Sequence, residues 1–422
     1  MQETAVVTVF LRHGTDVLLL RRSDRVGSYS GRWGAVAGHA EGDPDAAARQ
    51  EVREETGIDP HESTTLVRRG DPFTVVDVDL DTRWVVHPFL FDCETRDVDP
   101  NEETAEYEWT APTAILRRET VPDLWTSYDR VRPGVETVAT DREHGSAYLS
   151  LRALEVLRDE AALAVTGQDG ARDWQGLRAT ARDLAIARES MPVVRTRVDR
   201  VATDAIEGGG TPERLEAAAD AGLERALAAD REAAAIAADR LQEARIVTLS
   251  RSGTVRQAIV GAEPAAVLVA ESRPGGEGVD VAGTLAASLD CPVWLTTDAA
   301  LAHRFAAWNA DVLLVGADAI LGDGRVVNKV GTRGAAVAAS HDGIQTVVVA
   351  ASDKITPATD PDLEERDRAE LTDDESVVVA NPTFDVTPGD VVDAVVTERG
   401  VLDAEAVAAV ADEHRDLATW RQ

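Results

Sequence analysis

From residue 244 onwards, short β-rich apolar runs alternate with alanine-rich segments of helical spacing. The β-rich runs read RIVTLS, AAVLVAES, PVWLTT, DVLLVGADAI and QTVVVAAS. Near-continuous apolar strands that alternate with helices indicate a parallel sheet whose two faces are both covered. Ligands in such folds bind at the carboxyl ends of the strands. We therefore predict an α/β domain over residues 244–422, with its ligand site at those strand ends.

Two further sections precede this region. Residues 1–140 carry a strand pair within residues 5–20 and a predicted helix from about 45 to 56. Residues 141–243 carry leucine and alanine at helical spacing, and this section is predicted to be helical. Because a chain of 422 residues has room for two or three domains, we predict a multidomain α/β protein with boundaries near 140 and 243.

The chain is strongly acidic, with a formal net charge of −33 at pH 7, and 41 of its 43 basic residues are arginine. Its hydrophobic content of 44% lies in regular apolar runs, which argues against disorder and favours a globular protein adapted to high salt. At molar salt the Debye length is only ~3 Å, so the repulsion between surface acids is screened. No extended nucleic-acid-binding face is expected, because neutralising phosphates needs clustered positive charge.

The sequence also indicates a compartment. The N-terminus lacks a basic region followed by an apolar core, so no signal peptide is expected. No apolar run approaches the ~18–20 residues that span a bilayer, so no membrane association is expected. Cys93 and Cys291 lie in apolar surroundings and are expected to be buried strand thiols in a reducing compartment. We therefore predict a cytoplasmic protein in a high-salt cytoplasm such as that of haloarchaea.

Three glutamates define the sharpest local motif, GHAEGDPDAAARQEVREETGI at residues 38–58. On the predicted helix, Glu51, Glu54 and Glu55 stand at i, i+3 and i+4 and therefore share one face. Their like charges repel, and a hard divalent cation that prefers oxygen ligands would resolve the repulsion. From spacing alone, a solvated acidic helix face stays open as the alternative to a metal site. The high acidic content of the chain strengthens this alternative.

The whole stretch resembles the Nudix hydrolase family box, in which a glycine leads into a helix that bears R-E-hydrophobic-x-E-E-x-G-hydrophobic. The resemblance implies that residues 1–140 form a Nudix α/β/α sandwich. It also implies that Glu51, Glu54 and Glu55 are the catalytic residues and the ligands of Mg²⁺ or Mn²⁺. The implied reaction is metal-assisted hydrolysis of a nucleoside diphosphate linked to another group.

Two positions depart from the family box. Gln50 stands where the family has an arginine that helps to orient the glutamates. The loop before the helix also looks one residue short, so that Asp43 only approximately replaces an upstream glutamate. A degenerate, non-catalytic binding domain therefore stays an alternative.

Four loops of the C-terminal region each follow a predicted strand or open a predicted helix. They read TLSRSGTV (248–255), ESRPGGEG (271–278), GADAILGDGRVVNKVGT (316–332) and ASDKITP (351–357). Small residues let backbone N–H groups approach an anion, arginine grips phosphate bidentately, and lysine acts as a compact point charge. Ordinary loop chemistry explains each loop alone, but four converging loops favour an anion site. The predicted ligand-binding residues are Ser250, Ser252, Arg273, Asp318, Asn328, Lys329 and Lys354.

Together the four loops resemble a family that includes three subunits of eukaryotic translation initiation factor 2B (alpha, beta and delta), ribose-1,5-bisphosphate isomerase and methylthioribose-1-phosphate isomerase. The later segment NPTFDVTPGDVVDAVVTERG is also typical of this family. The resemblance covers about residues 175–420 and implies that residues 141–243 are a linker and a helical domain and that residues 244–422 are Rossmann-like. It further implies a nucleotide or sugar-phosphate ligand, a homo-oligomer formed through the C-terminal domain, and initiation factor 2 subunits as candidate partners.

The only two lysines of the chain, Lys329 and Lys354, both lie in these family motifs. We interpret the loss of lysine elsewhere as surface adaptation. The two retained positions would then be confined sites that admit an ammonium and exclude the wider guanidinium of arginine. Chance survival of both lysines is the alternative.

The isomerases of this family pair an aspartate with a cysteine, and a thiol and a carboxylate can move protons because their pKa values can be tuned. The aspartate is present here as Asp318, but alignment of VTLSRSGTV with the corresponding loop places Ser250 at the cysteine position. A serine hydroxyl is a far weaker acid than a thiol, and Cys291 lies in a different predicted strand. We therefore predict a domain that binds a phosphorylated small molecule without isomerising it. Two alternatives stay open, a non-catalytic initiation factor 2B-like regulatory subunit with a degenerate Nudix domain and an active ribose-1,5-bisphosphate-type isomerase.

Overall fold

The computed structural model describes residues 2–40 and 42–421, which form two compact units. Unit 1 comprises the chain up to Gly134 together with Arg158–Asp173, and unit 2 comprises Val135–Leu157 and the chain from Trp174 onwards. Both units combine helices with sheets, which confirms the predicted multidomain α/β fold. The domain boundaries near 140 and 243 stay predictions. Within the described ranges, no helix is both long enough and apolar enough to cross a membrane.

Unit 1 is built on an eight-stranded sheet. Its strands are β1 (Gln2–His13), β2 (Asp16–Arg22), β3 (Trp33–Gly34), β4 (Val36–His39), β5 (Thr64–Arg69), β6 (Phe73–Asp77), β7 (Thr82–Cys93) and β8 (Thr104–Thr110). The central order is β3-β2-β1-β7-β5, while β4 pairs with β1, β6 with β7 and β8 with β2. The pairing of β1 with β7 is parallel. The helices of its first segment, up to Gly134, are α1 (Pro44–Thr56), α2 (Leu124–Asp129) and a 3-10 helix at Pro112–Arg117.

Helix α1 begins and ends where its sequence requires. The Asp43 carboxylate accepts two backbone N–H groups of the first turn, and Pro44 fills the first helical position, where a missing N–H is harmless. Gly57 ends the helix with φ 71°, in the left-handed region that glycine adopts without steric cost. Val52 is fully buried in a core cluster with Val7 of β1, so one face of the helix is fixed against the sheet. The predicted helix from about 45 to 56 is confirmed.

The middle of the chain is helical, as predicted. Its helices are α3 (Val135–Thr140), α4 (Ser146–Val165), α5 (Trp174–Ile186), α6 (Pro192–Glu207) and α7 (Pro212–Asp239). Helix α7 illustrates why these segments are helices. Its N-terminus is capped by Thr211, whose hydroxyl accepts the Arg214 backbone N–H, and Pro212 follows at the first position. Alanine and leucine at helical spacing form its buried face.

The second half of unit 2 contains a seven-stranded sheet in the order β11-β10-β9-β12-β15-β18-β19. Its strands are β9 (Arg245–Thr248), β10 (Ala266–Ala270), β11 (Val293–Thr296), β12 (Val312–Val315), β15 (Gln345–Val349), β18 (Ala394–Thr397) and β19 (Gly400–Leu402). All neighbouring pairs are parallel except β18 with β19. The α-helices of this region are α8 (Gly253–Gly261), α9 (Gly278–Ser288), α10 (Leu301–Trp308), α11 (Thr332–His341) and α12 (Ala404–Leu417).

Both faces of this sheet are covered, as the apolar runs predict. Val247 and Leu313 pack in one core cluster with Phe305 of α10, whereas their neighbours Ile246 and Leu314 pack in a second cluster. Successive side chains of a strand point to opposite faces, so a strand buried on both sides must be apolar throughout. The parallel, doubly covered sheet is therefore confirmed.

Unit 2 also contains a separate four-stranded sheet, whose strands occur between those of the large sheet in the sequence. This second sheet was not predicted from the sequence. It contains β13 (Ala319–Leu321), β14 (Val326–Lys329), β16 (Ile355–Thr356) and β17 (Phe384–Thr387), in the order β16-β13-β14-β17. The single run DVLLVGADAI is divided between β12 of the large sheet and β13 of this small one. Asp318 lies at the break, where its backbone N–H donates to the Val327 carbonyl at 2.8 Å. Apolar runs report burial, and they do not report which sheet buries the chain.

The two cysteines behave differently. Cys93 is buried at the end of β7, as predicted. Cys291 is only half-buried and precedes β11, so the prediction of a buried strand thiol is wrong at this position. The physical reason is that β11 is the edge strand of the large sheet, where Trp294 itself is 52% exposed.

Candidate functional site

A cavity of about 610 Å³ in unit 1 has both acidic and apolar lining. Glu51 and Glu54 of α1 line it, and so does Glu103, which precedes β8. Its apolar and aromatic lining includes Val75, Leu80, Trp84, Val86 and Tyr29. The cavity can therefore accept a ligand that has a charged part and an apolar or ring-shaped part.

The glutamates of the box are held by specific neighbours. The Glu51 carboxylate lies so close to Gly38 of β4 that a Cβ on Gly38 would come within 1.8 Å of Glu51 Oε1. The Gln50 side chain donates from Nε2 to Glu54 Oε1 at 2.8 Å. Gln50, which stands where the family has arginine, therefore helps to hold Glu54 in place.

Glu55 is placed differently from the other two glutamates. It is 7% exposed, it does not line the cavity, and its Oε1 accepts the Ala37 backbone N–H at 3.4 Å. Burial and, next, the charge of Glu51 raise the pKa of the Glu55 carboxyl to about 8. A buried carboxyl beside a second carboxylate is the environment in which a divalent cation would favour the ionised form.

The donor chemistry of this helix face fits a hard cation, but its side chains are not gathered into a finished coordination sphere. Within residues 2–40 and 42–421, no three His, Cys, Asp or Glu side chains are grouped closely enough to hold a metal ion. Glu51, Glu54 and Glu55 supply only carboxylate oxygens, which Mg²⁺ and Mn²⁺ prefer. Burial and, second, the charge of Glu51 oppose ionisation of the Glu55 carboxyl, and such a cation would offset both effects.

Sequence analysis missed two features of this cavity. Glu103 adds a third carboxylate to the lining, and its charge acts on Glu55. Tyr29 donates from its hydroxyl to Asp77 Oδ2 at 2.6 Å, and burial followed by that hydrogen bond raises the pKa of Tyr29 to about 12. Tyr29 lies nine residues before the box and Glu103 lies 45 residues after it, and no local motif marks either residue.

A second cavity, of about 620 Å³, lies in unit 2 near the carboxyl ends of β9, β10 and β12. The structure brings three of the predicted ligand-binding residues to its lining, namely Ser250, Asp318 and Lys329. Ser250 adopts φ 66°, in the left-handed region that is uncommon for residues other than glycine. Its backbone N–H donates to Ser272 Oγ at 2.6 Å, which ties the 248–255 loop to the 271–278 loop.

The ammonium of Lys329 is buried and paired. Lys329 is 5% exposed, and its Nζ lies 2.9 Å from Glu277 Oε1. The Ser250 hydroxyl donates to the same oxygen at 3.4 Å. Glu277 was not singled out from the sequence, because a glutamate between glycines in an acidic chain carries no distinguishing signal.

Asp318 is held by a residue that sequence analysis also missed. Ser146 at the start of α4 donates from Oγ to Asp318 Oδ1 at 2.8 Å. In the segment just before it, His144 lines the cavity, stacks on Tyr148 at 4.1 Å between ring centroids, and pairs through Nδ1 with Asp141 Oδ2 at 2.8 Å. Burial opposes ionisation of Asp141, but hydrogen bonds from the backbone and ring of His144 outweigh it and lower the pKa of Asp141.

The other four predicted residues do not line the cavity in this structure. Ser252 caps α8 by accepting the Val255 backbone N–H, and Asn328 donates to Thr332 Oγ1 at 3.0 Å. Lys354 is buried and donates from Nζ to the Ala317 carbonyl at 2.6 Å. The Arg273 side chain is 67% exposed and donates to Glu271 at 3.3 Å.

Models of two known protein families match this chain, one in its N-terminal part and one in the remainder. A model of the NUDIX domain matches residues 1–131. A model of the initiation factor 2 subunit family matches residues 142–404, which is more than half of the chain.

The chain is also similar to individual isomerases. The chain is 33% identical over 302 residues to the ribose 1,5-bisphosphate isomerase of Haloferax volcanii, a match that covers 66% of this chain and 92% of that protein. It is 41% identical over 158 residues to the methylthioribose-1-phosphate isomerase of Pseudomonas paraeruginosa, covering 34% of this chain and 44% of that enzyme. This second match therefore spans less than half the length of that relative.

Solved structures give the same picture. The translation initiation factor eIF-2B of Pyrococcus horikoshii aligns with a TM-score of 0.55 and 27% identity, over 64% of this chain and 94% of that one. The 5-methylthioribose 1-phosphate isomerase of the same organism aligns with a TM-score of 0.53 over 74% of this chain and 90% of that one, and at 19% identity it shows a shared fold alone. The chain belongs to the initiation factor 2 subunit family and carries a NUDIX domain at its N-terminus.

Proposed function

We propose that this protein combines a divalent-cation-dependent Nudix hydrolase with a domain that binds a phosphorylated small molecule. The observation that carries the first part is the unit 1 cavity, where Glu51 and Glu54 of the box occur with an apolar and aromatic lining. A diphosphate needs the cation, and an organic group attached to it needs apolar surface. This combination suits a nucleoside diphosphate linked to another group as the substrate.

Each residue of the box has a role in this proposal. Glu51, Glu54 and Glu55 would hold Mg²⁺ or Mn²⁺, which when bound neutralises diphosphate charge and lowers the pKa of a water molecule. Gln50 positions Glu54 through their 2.8 Å hydrogen bond. A carboxylate of the same cavity lining accepts the proton of the attacking water.

The test of the hydrolase is a substrate screen with paired variants. The purified full chain, in high salt with Mg²⁺, is assayed against ADP-sugars, dinucleoside polyphosphates and NADH. We expect Glu54→Gln and Glu55→Gln each to lower turnover at least about 100-fold, because each removes a charged cation ligand. Glu62→Gln is the matched control, since Glu62 is an exposed acid that does not line the cavity. Turnover by wild type no higher than that of the Glu54/Glu55 double variant, on every substrate, would refute the hydrolase.

The second part of the proposal rests on the unit 2 cavity, where Ser250, Asp318 and Lys329 meet. Lys329 offers a compact positive charge to a phosphate group. Among the residues that the structure describes, no cysteine lines this cavity. Because the Ser250 hydroxyl cannot take the part of a thiol in proton transfer, we expect binding of a sugar phosphate or nucleotide without isomerisation through this position.

This binding is tested with ribose 1,5-bisphosphate, AMP and methylthioribose 1-phosphate, each added separately in high salt. We expect at least one of them to raise the melting temperature of wild type, and Lys329→Ala to lose that shift. Arg256→Ala is the control, because Arg256 is an exposed cation of the same unit that does not line the cavity. Product formation is measured in wild type and Ser250→Cys. Robust isomerisation by wild type would show that the active ribose-1,5-bisphosphate-type isomerase is the correct alternative.

A regulatory subunit is the second candidate function. The similarity to the initiation factor eIF-2B of Pyrococcus horikoshii, at 27% identity, is the observation that favours it. In this case the Nudix domain would be degenerate, the C-terminal domain would form a homo-oligomer, and initiation factor 2 subunits would be partners. Affinity purification from cells at high salt distinguishes the two candidates: recovery of initiation factor 2 subunits supports regulation, whereas their absence together with diphosphate hydrolysis supports the enzyme.

A further inference from the structure

Lys329, the residue proposed to bind phosphate in the unit 2 cavity, forms an ion pair with a carboxylate of the same cavity. Glu277 Oε1 lies 2.9 Å from Lys329 Nζ, and the side chains of Lys329 and Glu277 are only 7% and 19% exposed. An ion pair held away from bulk water is screened far less than one on the surface. A ligand phosphate can therefore reach Lys329 only in competition with Glu277.

The loop around Glu277 is shaped to keep that carboxylate in place. A Cβ on Gly275 would come within 2.5 Å of Glu277 Oε2, so the absence of a side chain at position 275 leaves room for it. A Cβ on Gly278 would come within 1.8 Å of the Ala270 carbonyl oxygen, so this glycine lets the loop pass close to the end of β10. The Ser250 hydroxyl adds a third restraint by donating to Oε1. The two glycines thus leave room for the Glu277 side chain and its loop, and the Ser250 hydroxyl holds the carboxylate.

Four of the five cations that line the described part of the cavity pair with carboxylates, and the fifth, Arg251, donates to the Glu143 backbone carbonyl. Five Arg or Lys side chains line it against eight Asp or Glu side chains, an excess of three negative charges. Arg366 donates to Glu370 at 2.7 Å, and Arg188 donates to Glu364 at 2.7 Å. Since a phosphate group carries about 1.5–2 negative charges at neutral pH, its entry is opposed by the acids, and its contact with Lys329 depends on displacing the Glu277 carboxylate.

We propose that Glu277 is a specificity-determining residue of the unit 2 cavity, which competes with ligand phosphate for Lys329 and keeps the affinity for phosphate low. The inference rests on the proposed binding of a phosphorylated ligand by this domain. Phosphate binding requires the Glu277 carboxylate to leave Lys329. Replacing Glu277 by glutamine keeps the shape of the side chain and its hydrogen bond from Ser250 but removes the competing charge.

The first measurement is calorimetric titration of the full chain with ribose 5-phosphate and with inorganic phosphate at one fixed salt concentration. We expect Glu277→Gln to lower the Kd for ribose 5-phosphate at least tenfold. Asp280→Asn is the matched control, because Asp280 lines the same cavity and makes the same change in net charge but is not paired with Lys329. We expect that control to change the Kd less than threefold. Equal changes in the two variants would mean general electrostatics and would overturn the inference.

The second measurement uses the two lysines as reporters. Labelling lysine with ¹³C at Cε gives two signals, from Lys329 and Lys354, and Lys329→Ala assigns them by removing one of the two. We expect Glu277→Gln to move the Lys329 signal without ligand, and ribose 5-phosphate to move only the Lys329 signal. A Lys329 signal that Glu277→Gln leaves unchanged would overturn the inference.

The outcomes also separate this inference from the proposed function. Binding of ribose 5-phosphate by wild type and Glu277→Gln with equal Kd would leave the proposed function standing and overturn the role of Glu277. Absence of binding by wild type with clear binding by Glu277→Gln would support the role of Glu277 in its strongest form. Absence of phosphate binding by every variant, despite a moved Lys329 signal, would overturn the proposed ligand class and with it this inference.

Discussion

Gly38 shows how a residue without a side chain can support a site. It lies in β4, paired with Val7 of β1, and the Glu51 carboxylate occupies the space where its Cβ would be. A glycine is therefore required at position 38 for a steric reason, which is independent of turn geometry. Any side chain here must push Glu51 out of the position from which it lines the cavity.

We expect Gly38→Ala to lower diphosphate hydrolysis about 100-fold, because a displacement of about 1 Å in a positioned group can cost that much. The free energy of unfolding should change by less than about 1 kcal/mol. The clashing atom is the end of a flexible side chain, and alanine loses less backbone entropy than glycine. Turnover and urea unfolding are measured side by side. Gly34→Ala is the control, since its Cβ would meet only Val121 at 3.7 Å. Equal activity of the two variants would contradict the steric role.

Individual residues differ in how readily the sequence predicts them. Helical spacing fixes Glu51 and Glu54 on one face, and both line the unit 1 cavity. Confinement of the two lysines is also confirmed, since Lys329 is 5% and Lys354 is 6% exposed. The pairing of Lys329 with Glu277 was out of reach, because it joins two loops whose contact depends on the fold of the whole sheet. Local spacing carries no information about such a contact.

At the scale of elements, the 351–357 loop is fastened to helix α6 through one carboxylate. Asp353 accepts from Arg197 at 3.1 Å and from Arg200 at 3.0 Å, and it is 5% exposed. Burial raises the pKa of this carboxyl, but the two guanidinium groups outweigh burial and lower it to about 2. The next residue is Lys354, so this ion pair also positions the second lysine.

We expect Asp353→Asn to lower the free energy of unfolding by about 3–5 kcal/mol, because it removes the carboxylate that pairs with the buried guanidinium of Arg197 and the half-buried guanidinium of Arg200. The folded pKa lies below the ordinary value of 3.8, so the stabilising effect of Asp353 is complete above about pH 4 and is lost as the pH falls toward 2. Urea unfolding of wild type and variant at pH 7, 4 and 3 measures both effects, and the difference between them should shrink with acidification. Asp360→Asn, an exposed acid nearby in the chain, is the control. A constant difference across this range would contradict the assignment.

Secondary-structure elements are predicted well where apolar strands and helices alternate regularly over many residues. They are predicted poorly where the chain passes from one sheet to another. The alternating strands and helices after residue 244 are confirmed, because burial on both faces leaves a continuous apolar run for each strand. The run that forms β12 and β13 shows the limit, since its apolar character continues across Asp318 into a different sheet. The sequence also did not indicate that β11 is an edge strand, and for that reason Cys291 was wrongly predicted to be buried.

For the whole molecule, local motifs predicted a Nudix domain followed by an initiation factor 2B-like region, and the family comparisons confirm both of them. The division of the chain into units is a different matter. Residues 158–173 group with unit 1, although they follow residues that group with unit 2. Helix α4 ends at Val165 within this stretch, and helical spacing cannot indicate to which core a helix belongs.

The net charge of −33 leads to a prediction for the whole molecule. Repulsion between surface acids destabilises the compact state, and salt screens it as the Debye length falls from about 10 Å at 0.1 M to about 3 Å at 1 M. We therefore expect the melting temperature to rise by roughly 10 °C or more between 0.1 M and 1 M KCl and then to flatten, because little repulsion is left to screen. Calorimetry across 0.1–3 M KCl measures this curve. The same titration with sucrose separates screening from general exclusion of cosolute, which strengthens burial without shielding charge. A linear rise that continues to 3 M KCl would mean that screening is not the main cause. A melting temperature that does not depend on KCl would mean that the acidic surface is not an adaptation to salt.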